Sequence, residues 1–176
     1  MDFAEHSRAI ISELEAVISG VGAGPAAELA QTIVSARRVF VAGCGRTGLM
    51  ARAFAMRLVH LGLTAHVAGD STSPAIGEGD LLVMCSGSGE KQTLLSFAGQ
   101  AKASGARCAV VTASAGSPIA SAAELVVLLD AKNSRQFGGS LFEQSLLIFF
   151  DALVMALTLL CGTNHDEMAL RHANLE

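Results

Sequence analysis

The sequence is short of charged residues. Asp, Glu, Lys and Arg make up only 16% of its 176 residues, whereas 51% are hydrophobic. A soluble domain usually carries about 25% charged residues, so part of the apolar surface has to be covered by another molecule. Interfaces between identical subunits are the usual cover, and the composition therefore predicts a homo-oligomer.

An excess of basic residues is also missing, because the formal net charge is −4. Proteins that bind nucleic acid depend on clustered Lys and Arg to neutralise the phosphate backbone. No nucleic-acid partner is therefore expected. A small phosphate ligand is still compatible with an acidic chain, because backbone amides at a helix N-terminus bind anions locally.

Targeting, disulfide and metal-binding motifs are absent as well. The N-terminus contains Asp2 and Glu5 and lacks the apolar core of a signal peptide. The four cysteines form no C-x-x-C pair and the five histidines show no metal-ligand spacing, so a cytoplasmic protein with reduced thiols and no metal is expected. The most apolar run, 146–161, is too short to span a bilayer and contains Asp151. It predicts a buried helix and no membrane partner.

Short apolar runs alternate with helical patterns along most of the chain. Strands that are apolar throughout are buried on both faces, as in parallel sheets, and the alternation indicates the same architecture. The strands are expected at 39–42, 64–67, 81–85, 109–112 and 125–129. The helices are expected at 3–19, 25–36, 47–61, 91–104, a short turn from 117, 142–160 and 166–173. The prediction is an α/β fold: a three-layer doubly wound sandwich with a five-stranded parallel sheet and extra helices at both termini, as one domain over 1–176.

Residues 43–48, which we call the glycine loop, follow the first predicted strand and match G-x-G-x-x-G. Ligands of such sheets bind outside the carboxyl ends of the strands, and this motif is typical of dinucleotide sites. A dinucleotide site also needs an acidic residue at the end of the next strand, but Asp70 lies beyond that strand. The alternative is a tight turn in which glycine permits close packing.

Residues 86–89 (Ser-Gly-Ser-Gly), which we call the serine loop, lie between the third strand and a helix. Serine hydroxyls and backbone amides converge readily on one anion in such a loop. A merely flexible loop is the alternative. Two such loops without a ribose-binding acid favour a monophosphate ligand over a dinucleotide.

Several segments resemble the 6-phospho-3-hexuloisomerases, a family with the sugar isomerase (SIS) fold. They are 43–48, 51–58, 60–62, 86–89, 142–144 and 171–176, so the resemblance covers nearly the whole chain as a single SIS domain. It implies isomerisation of D-arabino-3-hexulose 6-phosphate to D-fructose 6-phosphate in formaldehyde fixation through ribulose monophosphate, and thus a functional link to hexulose-phosphate synthase. It also implies a homo-oligomer, usually a tetramer, and no cofactor.

The two loops and the resemblance together predict the residues that bind the sugar phosphate. They are Gly45, Arg46, Thr47, Ser86, Gly87, Ser88, Gly89, Lys91 and Thr93. SIS loops commonly carry Thr two residues after the second glycine, where this chain has Lys91. Which of Lys91 and Thr93 contacts phosphate stays open.

The implied reaction moves a carbonyl from C3 to C2 through a cis-enediol(ate), so it needs a base and a proton shuttle. Glu143 is the predicted base because it begins a strongly apolar helix, with Glu90 as the rival; helix capping is the alternative role of Glu143. His172 is the predicted shuttle, and an exposed tail histidine is its alternative.

Three other functions are alternatives to this isomerase. The first is another SIS sugar-phosphate isomerase, which the segments 142–144 and 171–176 disfavour by resemblance. The second is a non-catalytic sugar-phosphate-binding module of a transcription regulator, which would carry a basic DNA-binding segment. The third is a dinucleotide-dependent oxidoreductase, for which the ribose-binding acid is missing.

Overall fold

The computed structural model describes residues 2–175 of the chain. Its helices are α1 (Phe3–Ser19), α2 (Ala23–Ser35), α3 (Gly45–His60), α4 (Gln92–Ala103), α5 (Pro118–Ser121), α6 (Ser140–Leu160) and α7 (His165–Leu170). Its strands are β1 (Val39–Gly43), β2 (Ala65–Val67), β3 (Leu81–Ser86), β4 (Arg107–Thr112) and β5 (Leu125–Leu128). Every predicted strand and helix is present, with ends that differ from the predicted ones by up to three residues.

The five strands form one parallel sheet in the order β2-β1-β3-β4-β5. The registers place Val41 between Val67 of β2 and Val83 of β3. The chain leaves β1 toward one edge of the sheet, and β3 then starts the run toward the other edge. The carboxyl ends of β1 and β3 are therefore the switch point where ligands bind in this type of sheet.

Alternation along the strands divides the core into two layers. Val39 and Val41 of β1 face one layer, which α2, α3 and α6 complete, whereas Phe40 and Ala42 face the other layer, which α4 and α5 complete. Because side chains of a strand point alternately to the two faces of a sheet, continuously apolar strands require helices on both faces. The predicted three-layer α/β sandwich is confirmed.

Helix α6 is buried on one face and exposed on the other. Phe150 stacks on Phe54 of α3 with ring centroids 3.9 Å apart, and Leu146 is fully buried. Met155 and Leu159 remain 74% and 84% exposed. By length and composition alone α6 could cross a membrane, but its buried face belongs to the main core. The prediction of a buried helix thus holds for one face.

A buried carboxylate lies at the amino ends of β1 and β3, opposite the switch point. Asp80, which is 1% exposed, accepts hydrogen bonds from the guanidinium groups of Arg37 and Arg38 and from the amide of Gly77. Burial by itself raises the pKa of Asp80, but the hydrogen bonds from Arg38, Arg37 and Gly77 together outweigh it and lower the pKa to about 2. This cluster fixes the loops that precede β1 and β3.

Replacing Asp80 with Asn should lower the free energy of unfolding by about 3 kcal/mol, because removing one partner of a buried ion pair leaves the other charge uncompensated. The lowered pKa of Asp80 contributes about 2 kcal/mol that is present above pH 3.8 and is lost as the pH falls to about 2. The difference between wild type and Asp80→Asn in urea unfolding should therefore shrink over that range. Asp130→Asn, at an exposed position, is the control, and an equal loss of stability in both variants would refute this role.

Candidate active site

A cavity of about 340 Å³ opens at the carboxyl ends of β1 and β3. It is lined by Cys44, Gly45, Arg46, Thr47, Cys85, Ser86, Gly87, Ser88, Lys91, Gly139, Phe142 and Glu143. The glycine loop, the serine loop and the first turn of α6 thus meet at one place. Most of the predicted binding residues and the predicted base share this cavity.

Three helices point their N-termini into the cavity without a side-chain cap. Their N-cap residues are Cys44 for α3, Lys91 for α4 and Gly139 for α6, and all three line the cavity. Side chains cap α1, α5 and α7, whereas α2 has no side-chain cap but begins at Gly22, outside the lining of this cavity. The first amides of a helix have no partner within it, and each N-terminus carries roughly half a positive charge. The cavity therefore offers unpaired amides and positive potential to an anion.

Two glycines of the glycine loop serve close packing. A Cβ added to Gly48 would lie 2.6 Å from the carbonyl oxygen of Gly43, so the start of α3 touches the end of β1. Asp70, the acid near the end of β2 that a dinucleotide site would require, is paired with Arg52 and lies outside the lining of this cavity. The tight-turn interpretation fits this geometry, and the dinucleotide interpretation loses its ribose-binding acid.

Contacts from β4 and α5 hold the serine loop in one conformation. Gly89 has φ +68° and its amide donates to the Ser86 hydroxyl at 3.0 Å. A Cβ on Gly89 would lie 2.0 Å from the Ser117 hydroxyl oxygen, and the Thr112 hydroxyl donates to the Gly87 carbonyl at 3.5 Å. Sequence patterns missed Thr112 and Ser117, whose only signal was a hydroxyl at the end of a strand and at a helix cap. The loop is held firmly, unlike a flexible linker.

Glu143 turns its carboxylate toward Arg46 of the glycine loop. The Arg46 Nε and Glu143 Oε2 atoms are 3.2 Å apart, and Arg46 also donates to the Ser140 hydroxyl at 3.0 Å. Oε2 is buried and accepts no hydrogen bond within the described chain, so the contact with Arg46 is an ion pair without hydrogen-bond geometry. A half-buried carboxylate with an open acceptor position is well suited to take a proton from a bound substrate.

Of the three remaining candidates near the serine loop, one lines the cavity and two lie outside its lining. Lys91 lines the cavity, whereas Thr93 lies in the exposed first turn of α4 outside the lining. Glu90 is exposed and also outside the lining, and its amide donates to the Ser88 hydroxyl. Position therefore favours Lys91 over Thr93 as the phosphate contact and Glu143 over Glu90 as the base.

His172 lies far from this cavity within one chain. Helix α7 ends at Leu170, so His172 follows the helix instead of lying on it as predicted, and its ring stacks on His60 at 4.9 Å. His60 ends α3, whose N-terminus at Gly45 lines the cavity, and a helix of that length separates the two by roughly 22 Å. The described chain does not bring His172 and Glu143 together. Glu176, the last residue of this tail, lies outside the described residues.

His60 and His172 instead border a larger cavity of about 700 Å³ between the ends of α3, α6 and α7. Its walls are mostly apolar, with Met155 and Leu159 among them. It does not lie at the carboxyl ends of the strands and contains no uncapped helix N-terminus of the described chain. Size alone therefore does not make it the site of chemistry, and we assign that role to the smaller cavity.

The parallel sheet and the cavity at its switch point define the chain as a doubly wound α/β protein with a candidate anion site at three helix N-termini. Residues 32–159 match the family model of the SIS domain, and the chain belongs to this family. The family and the fold predicted from the sequence are both confirmed.

Relatives of known name cover most of the chain. It is 48% identical over 158 residues, 85% of this chain and 79% of the other, to 3-hexulose-6-phosphate isomerase of Mycobacterium gastri. It is 37% identical over the full length of both chains to the protein of the same name from Bacillus subtilis. A crystal structure from Methanococcus jannaschii, described as inferring a molecular function of 3-hexulose-6-phosphate isomerase, superposes with a TM-score of 0.88 at 28% identity and covers 98% of this chain and 99% of that one.

Gly89→Ala should damage the site, because φ +68° disfavours a side chain and the new Cβ would overlap the Ser117 hydroxyl. We expect a loss of about 2 kcal/mol in unfolding free energy and no further stabilisation by inorganic phosphate in thermal unfolding. Gly99→Ala, in open space on α4, is the matched control and should be neutral or stabilising by up to about 1 kcal/mol. A Gly89→Ala protein that phosphate still stabilises as it does wild type would contradict the prediction.

Proposed function

We propose that this single SIS domain is an isomerase that converts D-arabino-3-hexulose 6-phosphate to D-fructose 6-phosphate. The observation that carries the proposal is that Glu143 lies in the same cavity as three helix N-termini without side-chain caps. An anion site beside a half-buried carboxylate matches a substrate with a phosphate at one end and a carbon acid near the other. The relatives named 3-hexulose-6-phosphate isomerase support this particular substrate.

The serine loop and Lys91 hold the phosphate in this proposal. The Ser88 hydroxyl is exposed, whereas Ser86 is buried with its oxygen accepting from the Gly89 amide. Ser88 and the first amides of α4 thus bind the phosphate oxygens directly, and Ser86 shapes the loop. Lys91 adds a charge at the same helix end, in the place where related loops carry a threonine.

Glu143 takes the proton from C2 of the bound 3-ketose. The electron pair of that C–H bond forms the C2–C3 double bond of a cis-enediol(ate), with the negative charge on the C3 oxygen. Return of a proton to C3 and transfer of the hydroxyl proton from the C2 oxygen to the C3 oxygen give the 2-ketose, so the overall reaction is balanced without a redox partner. Proton transfers alone suffice, and no cofactor is required.

Arg46 has two roles in this mechanism. Its Nε lies 3.2 Å from the Glu143 carboxylate and orients that carboxylate in the cavity. Its side chain is 60% exposed, so its guanidinium can turn toward the enediolate oxygens, where it stabilises developing negative charge. His172 moves the proton between the two substrate oxygens, and since one chain holds it far from Glu143, it comes from a neighbouring subunit.

The proposed oligomer, a tetramer by resemblance, uses an apolar surface of α3 and α6. The two helices pack side by side, and Met56 and Val59 of α3 and Met155 and Leu159 of α6 are between 42% and 84% exposed. Each pair recurs at helical spacing on one of two helices that contact each other, and we call these four side chains the α3–α6 stripe. Its cover by a second copy accounts for the low charge of the sequence.

The reaction also suggests a place in the cell. A 3-hexulose 6-phosphate arises by addition of formaldehyde to ribulose 5-phosphate, so hexulose-phosphate synthase would supply the substrate. All four cysteines of the chain are free, which fits the cytoplasm, where thiols stay reduced.

The direct test couples the purified protein to hexulose-phosphate synthase with formaldehyde and ribulose 5-phosphate and measures fructose 6-phosphate. Glu143→Gln should lower kcat by about 10² to 10⁴ with little change in KM, the range typical of a lost general base. Ser88→Ala should instead raise KM, and Asp151→Asn, at an exposed position on the same helix α6, should change neither. No product from wild type, or an unchanged kcat in Glu143→Gln, would refute the proposal.

Leu159→Glu should break the proposed oligomer, because a charge in an apolar subunit contact is costly to desolvate. Leu159 is 84% exposed in the single chain, so the fold itself should tolerate the change. Light scattering should show a smaller particle, with a lower kcat because His172 no longer reaches a partner's cavity. Phe3→Glu, 83% exposed on α1, is the control, and a fully active Leu159→Glu monomer would contradict supply of His172 by a neighbour.

A further inference from the structure

Glu13 of α1 binds the segment that leads into the candidate active site. Its carboxylate accepts hydrogen bonds from the Ser134 hydroxyl at 2.7 Å, the Arg135 amide at 2.9 Å and the Gln136 side-chain amide at 3.1 Å. These residues lie more than 120 positions later in the chain. Glu13 also lies before the stretch 32–159 that matches the SIS family model, so α1 contributes to a segment inside the family core.

The segment 132–136 has few other anchors. Among the hydrogen bonds of the described chain, those that join its residues to any other element all end on Glu13. Internally, the Gln136 amide donates to the Ser134 hydroxyl at 2.9 Å. The hydrogen bonds that hold this segment against the rest of the described chain therefore depend on the Glu13 side chain. Hydrogen bonds from the Arg135 amide, Gln136 and Ser134 lower the pKa of Glu13 and keep its carboxylate ionised.

Only residues 137–139 separate this segment from α6. Phe137 is 96% exposed, and Gly138 and Gly139 are exposed as well, so this link makes little packing contact of its own. The Phe137 carbonyl accepts from the Ser140 hydroxyl at 2.8 Å, and the Glu143 amide donates to the Gly139 carbonyl at 3.0 Å. Three residues and these two hydrogen bonds therefore connect 134–136 to the helix turn that carries Glu143.

We infer that Glu13 is a positioning residue for the isomerase reaction: by binding residues 134–136 it fixes the first turn of α6, and with it the carboxylate of Glu143, in the cavity. The inference rests on the proposed function for its catalytic consequence. The serine loop does not depend on Glu13, because it has its own anchors in Thr112 and Ser117. Loss of the Glu13 contacts should therefore affect the chemical step and spare phosphate binding.

Glu13→Gln removes the negative charge and one of the two acceptor oxygens that these three donors share. A small misplacement of a catalytic group costs up to about 10²-fold in rate, so kcat should fall about 10- to 100-fold while KM changes less than twofold. Glu15→Gln removes the same charge from an exposed position of the same helix and should leave both constants unchanged. Ser134→Ala should lower kcat in the same direction, and the double variant should fall short of the product of the single effects.

Hydrogen exchange gives a readout that does not depend on turnover. Amides of 135–143 should exchange faster in Glu13→Gln than in Glu15→Gln, with the serine loop unchanged in both. An active wild type in which Glu13→Gln equals Glu15→Gln in kcat overturns the inference and leaves the proposed function intact. An inactive wild type overturns the proposed function instead. In that case, unchanged exchange at 135–143 in Glu13→Gln also overturns the inference, whereas faster exchange supports Glu13 as a positioning residue for α6. A Glu13→Gln protein that loses kcat only in step with its global stability also overturns it.

Discussion

The parallel pairing of β1 with β3 is the constraint on which the site depends. It aligns Gly43 with Cys85, so the two loops that leave these strands start at neighbouring points of one sheet edge. Their helices, α3 and α4, lie on opposite faces of the sheet, but both begin at the same cavity with unpaired amides. The active-site candidate is thus a consequence of strand order, and the glycines and serines adapt the backbone to it.

Positive potential and a carboxylate must coexist in this small volume. Three helix N-termini favour anions there, and Arg46 adds a full charge that Glu143 balances at 3.2 Å. Without that balance a buried carboxylate would suffer a large desolvation penalty.

Local patterns predicted the parts of the molecule that local physics determines. Apolar runs and turn residues were sufficient for the parallel sheet, and the two loops and Glu143 were recognisable in the sequence because each sits at a strand end or helix start. Contacts between residues far apart in the sequence could not be predicted from such patterns. Nothing near Glu13 indicates that Ser134 will bind it, and nothing near Gly89 indicates that Ser117 will fill the space beside it. His172 was predicted on a helix that ends at Leu170, because the composition of a short terminal helix does not define its end.

The proposed role of His172 would link catalysis to assembly, because one chain holds this residue far from Glu143. Within one chain the tail is fastened to the far end of α3, where Arg171 donates to the His60 carbonyl at 3.2 Å. That end adjoins Met155 and Leu159 of the α3–α6 stripe, which line the same large cavity as His172. A second copy that covers the stripe therefore also meets the tail. If the shuttle role of His172 is correct, the low charge of this sequence and the completion of its active site have one cause: each cavity is finished by a neighbouring chain, so subunits that bury their apolar surface also become active.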